Sequence, residues 1–189
     1  MTQPTNLTWA SYAETELRPE PGAMSNAEFF RDQMFPSFDQ LGVITPHAAS
    51  TLRYWTQLGF RPWVVDNVEG EVWYRGKLVQ QQLRLHFCRD SRGFELEIME
   101  PIQGDGYQFE VWDRAAKLDP DWKVAVSHFG THVDNINVAL KGWEGRFPHV
   151  EVIQLANIGS HSYAYLDTAA WFGLPLKLIQ RNYSADRSR

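Results

Sequence analysis

The chain has 189 residues, with 18 Lys and Arg against 23 Asp and Glu, a formal net charge of −5. The acidic balance, without any Lys/Arg run, excludes nucleic acid as the main partner, and apolar stretches no longer than Trp63-Val64-Val65 exclude a helical membrane span. The single cysteine, Cys88, excludes an internal disulfide and a cysteine metal site.

That length predicts one domain or two small modules sharing a core, burying roughly 70% of the unfolded surface. The first twenty residues lack a basic-then-apolar leader pattern, so a soluble, cytoplasmic protein without a membrane partner is expected. Aromatic residues are abundant, with 11 Phe, 8 Trp and 7 Tyr, and must fill a core, line a pocket or form an interface.

Residues 1–37 read as an N-terminal extension. They carry Pro4, Pro19, Pro21 and Pro36, and residues 25–35 predict one helical piece with Phe29, Phe30, Met34 and Phe35 on one side. A loose tail and an arm packed on the domain or on a partner subunit both account for it. Residues 38–44 then read as a short buried strand. Thr45-Pro46 supplies a cap and a first-turn proline, and helix runs through Leu58 to a stop at Gly59. Strands are expected over 60–65, over 71–87 with interruptions, and over 94–99. Pro101 closes a first module, 38–101. Residues 102–125 form a linker with a helix over 106–118.

The second module, 126–181, opens with a strand at 127–133. Asp134 is expected to cap a short helix through Leu140. Strands follow at 149–155, 162–167 and 174–180, and 182–189 is a tail. Each module reads as strand, helix, three strands, a repeat in which either unit alone leaves a sheet face bare.

Alternation divides each strand into two faces. Gln40, Gly42 and Ile44 share one. Glu95, Glu97 and Met99 oppose Phe94, Leu96 and Ile98. Arg84, His86 and Cys88 oppose Leu83, Leu85 and Phe87. His128, Gly130 and His132 share a face, as do Lys177 and Ile179. Apolar faces are expected to take helices. Polar faces are either solvated or closed around a cavity holding Gln40, Arg84, His86, Glu95, Glu97, His128, His132 and Lys177, with Trp63, Trp73, Tyr163 and Tyr165 as walls. The cavity reading is preferred because the polar faces recur in both modules. Glu95 and Arg84 are expected to pair across strands. His161 reads as a loop residue, and His128 in isolation as a satisfied core histidine.

Phe38-Asp39-Gln40-Leu41-Gly42-Val43, the helix ending Tyr54-Trp55-Thr56-Gln57-Leu58-Gly59-Phe60, and Glu95-Leu96-Glu97-Ile98-Met99-Glu100-Pro101 come in order. His128-Phe129-Gly130-Thr131-His132-Val133-Asp134, Tyr163-Ala164-Tyr165-Leu166-Asp167-Thr168 and Leu176-Lys177-Leu178-Ile179 follow. Over about 38–180 this series resembles the vicinal oxygen chelate superfamily, which holds glyoxalase I, methylmalonyl-CoA epimerase, extradiol dioxygenases and bleomycin-resistance proteins. Tyr74-Arg75-Gly76 resembles a segment of the glyoxalase/epimerase-like branch. The resemblance implies an α+β fold of two βαβββ modules whose curved mixed sheets enclose a cavity. It implies metal ligands on the first and last strand of each module, which fall on Gln40, Glu97, His128 and Lys177.

Lys177 departs from the family, which has Glu there. A protonated lysine has no lone pair for a cation. Three readings follow. A divalent metal (Zn, Mn, Ni or Fe) binds through Gln40, Glu97 and His128; or no metal binds and Lys177 pairs with Glu97; or Lys177 acts as a base or an attacking amine. The second is preferred and the third ranks last.

The implied function is isomerase, epimerase or lyase proton transfer on an apolar or aromatic carbonyl or hydroxyl compound. His128, Glu97 and Lys177 would be catalytic, with Gln40, Trp73, Arg75, Arg84, His86, His132, Tyr163 and Tyr165 against the substrate. Alternatives are a non-catalytic sequestration protein with a degenerate metal site, and a metal-dependent dioxygenase in which His86 or His132 completes the ligand set. A homodimer is also implied.

Overall fold

The computed structural model describes residues 38–158 and 161–181. The helical piece expected over 25–35 and the tail 182–189 lie outside these. The described chain runs β1 (Gln40–Ile44), α1 (Ala48–Gln57), β2 (Val64–Tyr74), β3 (Lys77–Arg89), β4 (Glu95–Gly104) and α2 (Tyr107–Leu118). It continues β5 (Ala125–His132), α3 (Ile136–Arg146), β6 (Val152–Ile158), β7 (His161–Leu166), α4 (Ala169–Phe172) and β8 (Leu176–Arg181).

The eight strands close into a barrel in the order β1-β4-β3-β2-β6-β7-β8-β5. In each module the first and last strands pair in parallel, β1 with β4 and β5 with β8. Antiparallel β1–β5 and β2–β6 contacts join the modules. This is the expected α+β architecture.

Several boundaries differ from those expected, each for a local reason. The strand expected at 60–65 starts only at Val64 and runs to Tyr74. Arg75 and Gly76 then turn the chain with φ of 45° and 77°, the paired positive angles of a two-residue hairpin turn. β4 passes through Pro101, which lies opposite Leu83 beside a register shift, where the ladder needs no donor from proline. Asn135, not Asp134, caps α3: its Oδ1 accepts from the backbone N–H of Asn137 and Val138 at 3.0 and 3.1 Å. The helix then continues to Arg146, past Leu140.

Burial sorts into layers. α1 lays Leu52 and Trp55 over Val43, Leu96 and Ile98, and α3 lays Ile136 over Ala164, Leu166, Leu176 and Leu178. The barrel interior holds Ile44, Val68, Val72, Leu83, Leu85, Met99 and Tyr165, with Tyr107 and Val111 of α2 packed among them. Each such aliphatic side chain contributes about 1.5–3 kcal/mol by burial.

β3 is inverted relative to the expectation. Leu83, Leu85 and Phe87 line the interior, and Arg84 is exposed on the outside. The barrel interior is the burial that the apolar face of β3 finds, because Val65, Asn67 and Glu69 on the outer face of neighbouring β2 stand exposed rather than under a helix. No helix among the described residues is long and apolar enough to cross a membrane.

Candidate active site

Four strands meet at the barrel centre. Register sets Gly42 beside Glu97 on one side and His128 on the other, and Gly130 beside Gln40 and Lys177. The glycines are sockets. A Cβ on Gly42 would fall inside the His128 ring, and one on Gly130 would stand 2.6 Å from Gln40 Oε1. Each module thus lodges its opening polar side chain in the glycine of the other.

Lys177 Nζ donates to both oxygens of Glu97, at 2.9 and 2.7 Å. His128 Nε2 lies 3.2 Å from Glu97 Oε2 and 3.0 Å from Gln40 Oε1. Gln40 Nε2 donates to Glu95 Oε1 at 2.7 Å, which fixes the amide so that its oxygen faces the histidine. Both atoms opposite Nε2 are acceptors, so Nε2 carries the ring proton. Nδ1 then accepts from the Ser127 hydroxyl at 3.1 Å. Glu97, His128 and Lys177 are 1%, 0% and 6% exposed.

Burial pushes the His128 pKa down to about 4, and the Lys177 charge reinforces this against the opposing pull of Glu97, so the imidazole is neutral. Burial alone would raise Glu97. The Lys177 ammonium and the His128 bond outweigh it and hold the carboxyl well below the usual range.

The four positions implied for metal ligands therefore converge, but their chemistry does not fit a divalent cation. Lys177 offers no lone pair and occupies both carboxylate oxygens. The Gln40 oxygen and the His128 Nε2–H satisfy each other. Among the described residues, no three His, Cys, Asp or Glu side chains gather to hold a metal. This also leaves the dioxygenase alternative without its donor set.

The cavity beside this cluster has a free volume of about 30 Å³. Its wall is Val68, Leu83, Leu85, Phe87, Met99, Ile158 and Ile179, with Gln40, Glu97, Gln108, His161, Tyr163, Tyr165, Lys177 and Arg181. Lys177 Nζ stands 5.3 and 5.6 Å from the Tyr163 and Tyr165 ring centres. His128 is not on this wall; it is sealed from solvent and bonded to Gln40 and Glu97, which are.

At the mouth, Arg181 Nη2 lies 2.6 Å from both Glu95 oxygens, and Arg89 Nε donates to Glu95 Oε2 at 2.8 Å. Arg181 also donates through Nε to His132 Nε2 at 3.3 Å and meets His161 Nε2 through Nη1. His132 Nδ1 in turn bonds Asp39 at 2.9 Å.

Of the expected site residues, the structure brings together Gln40, Glu97, His128, Lys177, Tyr163 and Tyr165. It does not bring the others to the cavity. Trp73 is half exposed on the outside of β2. Arg75, in the hairpin turn, pairs with Glu110 at 2.9 Å. Arg84 pairs outward with Glu100 at 3.1 Å rather than with Glu95. His86 shares the outer face of β3, buried with neither ring nitrogen hydrogen-bonded. His132 sits at the mouth.

Three features escaped the sequence reading. Arg181 continues the Lys177–Ile179 alternation, and His161, expected in a loop, opens β7 two residues before Tyr163; alternation extended by one step locates both. The third is a buried group of Gln81, Gln108 and Gln154, which no local pattern reveals.

Comparison with known proteins gives the family. The model for the Glyoxalase/Bleomycin resistance protein/Dioxygenase superfamily matches residues 39–154. Among solved structures, the chain is similar to methylmalonyl-CoA epimerase from Mycobacterium tuberculosis, with a TM-score of 0.51 and 11% identity over 76% of this chain and 86% of that one. It is also similar to a hypothetical protein from Bacillus halodurans C-125 (TM-score 0.52, 13% identity, 78% and 96% covered). A selenomethionine form of methylmalonyl-CoA epimerase gives 0.50 at 15% identity, with 76% and 93% covered. These likenesses show the fold. No curated protein matches the chain. The barrel of two βαβββ modules and the family match agree: the chain belongs to the Glyoxalase/Bleomycin resistance protein/Dioxygenase superfamily.

Proposed function

We propose that this chain is a metal-independent proton-transfer enzyme, an isomerase, epimerase or lyase, acting on a small apolar or aromatic carbonyl or hydroxyl compound in the barrel. The Lys177–Glu97 pair on the cavity wall carries this reading. A substrate carbonyl oxygen that takes over one ammonium hydrogen has its developing negative charge stabilised by Lys177. Glu97, relieved of that bond, regains basicity and accepts the proton from the carbon beside the carbonyl. The products are an enolate and a neutral carboxyl, and return of the proton to another face or carbon completes the cycle. His128, itself held by Gln40, keeps Glu97 in place. The free volume is smaller than such a substrate, so entry displaces wall side chains. Arg181, shared between the inner cavity and the groove lined by Arg89 and His132, is the one at the mouth.

Deuterium exchange into the carbons flanking the carbonyl of cyclopentanone or phenylacetone, followed by NMR in D2O with chelator present, tests this. Wild type catalyses exchange, and Glu97→Gln or Lys177→Met slows it about 100-fold or more. Exchange that requires added metal overturns the proposal.

A second reading, sequestration without turnover, draws on the largely apolar wall and the sealed His128. It predicts ligand binding without exchange, and binding that survives His128→Ala. We also infer a homodimer, in keeping with exposed Val65, Trp73 and Leu78 on the outer face of β2 and β3; light scattering checks the mass.

A further inference from the structure

The cavity has a second polar end, remote in sequence from the ion pair. The backbone N–H of Tyr107, at the start of α2, donates to Gln154 Oε1 at 2.7 Å. Gly106 permits this approach: its φ is +132°, and a Cβ there would stand 2.8 Å from the same oxygen. A backbone N–H is always a donor, so the Gln154 amide has only one orientation. Its Nε2 then donates to the Tyr163 hydroxyl oxygen at 3.0 Å and to Gln108 Oε1 at 3.2 Å. Gln108 Nε2 donates to the Tyr165 hydroxyl at 3.2 Å, and Gln81 Nε2 to the Tyr163 hydroxyl at 2.7 Å. All three glutamines are buried. Polarity set at one backbone atom thus propagates through the amides to two phenols on the cavity wall.

A phenol oxygen accepts two hydrogen bonds, and that of Tyr163 already has both. Its hydrogen has the Gln108 amide as a protein neighbour and is otherwise left for an acceptor in the cavity. The Tyr165 oxygen accepts one amide, and its hydrogen faces Met99 Sδ at 4.0 Å. We propose that Gln81, Gln108 and Gln154 fix Tyr163 and Tyr165 as hydrogen-bond donors, so that the cavity selects an uncharged ligand with an acceptor-only oxygen, a ketone or ester, over the matching alcohol. This rests on the reading of the cavity as a small-molecule site and concerns the ligand oxygen held at the tyrosine end, distinct from one polarised by Lys177.

An alcohol held by the Tyr163 phenol must bury its own O–H against an oxygen whose lone pairs are spent. Ligand charge is disfavoured because each buried ion already has a counter-ion: Lys177 faces Glu97, and Arg181 faces Glu95. Burial also pushes both tyrosine pKa values up, so the hydroxyls keep their protons across the neutral range.

NMR titration of the full-length protein with cyclopentanone and cyclopentanol tests the assignment. Wild type binds the ketone about tenfold more tightly than the alcohol. Tyr163→Phe weakens the ketone and collapses the ratio. Gln81→Met leaves the hydroxyl in place but frees one of its lone pairs, so the alcohol tightens while the ketone is unchanged, a pattern that loss of packing does not produce. Equal affinities in wild type, a ratio unmoved by Gln81→Met, or binding of neither probe overturns the proposal. Deuterium exchange without ketone preference sinks the donor assignment and leaves the proton-transfer reading standing. Ketone preference without exchange does the reverse.

Discussion

The residue that defines this molecule is Lys177. A lysine 6% exposed inside a barrel is tolerable because both Glu97 oxygens lie within 3 Å of it. Removing the ammonium by Lys177→Met strands a buried carboxylate, at a cost of about 3–5 kcal/mol. Lys177→Glu instead completes a donor set of two carboxylates, His128 and Gln40. That variant is expected to retain stoichiometric zinc or manganese after dialysis and to melt higher with the metal, as read by elemental analysis and thermal unfolding. A variant that takes up no metal counts against the idea that the ammonium stands in for a cation.

His128 supplies a pH signature. Its folded pKa of about 4 lies below an unfolded value of about 6.5, so the unfolded chain binds the proton first. Stability contributed by neutral His128 is full above pH 6.5 and falls as pH drops towards 4, by about 3 kcal/mol in total. Glu97, depressed in the fold, adds a further loss below about pH 4.3, where the unfolded carboxyl begins to protonate. Urea midpoints measured from pH 7 to pH 4 should decline steadily; a flat profile contradicts a neutral buried imidazole.

At the scale of elements, β1 and β5 fit only because each carries a glycine where the other projects a polar side chain. Gly42→Ala is expected to destabilise by about 1–3 kcal/mol through collision with the His128 ring. In a His128→Ala background the same change should cost little, so denaturant unfolding of the double-mutant cycle shows strong coupling.

The same strands explain what the sequence could tell. β1, β4, β5 and β8 have one buried polar face, so alternation alone groups Gln40, Glu97, His128 and Lys177 correctly. β3 also alternates cleanly, but alternation distinguishes two faces without saying which is inside. That depended on the exposed outer face of β2, and it reversed Arg84. β2 has only Val68 and Val72 buried among exposed neighbours, so its ends left no apolar rhythm to read. The glutamine network joins Gln81 to Gln154 across a separation of 73 residues, through contacts that no local spacing encodes.

For the whole molecule, closure matters most. Each module alone would expose the unpaired edge of β1 or β5, together with the buried polar cluster that the other half satisfies. Division of the chain between α2 and β5, near Asp121, should therefore give two fragments that are insoluble apart and recover a folded barrel when co-expressed, with near-ultraviolet circular dichroism as the readout. Soluble, structured single fragments would show that the modules are independent.

The tethered ammonium has one more consequence, which concerns supply. A centre built around a metal ion depends on the cell's stock of that ion and is emptied or mis-filled when the stock changes. Here the positive charge at Glu97 is part of β8, delivered with the polypeptide itself. It does not leak away during starvation, and scavenging agents do not strip it. No rival ion can replace it without first breaking a buried pair.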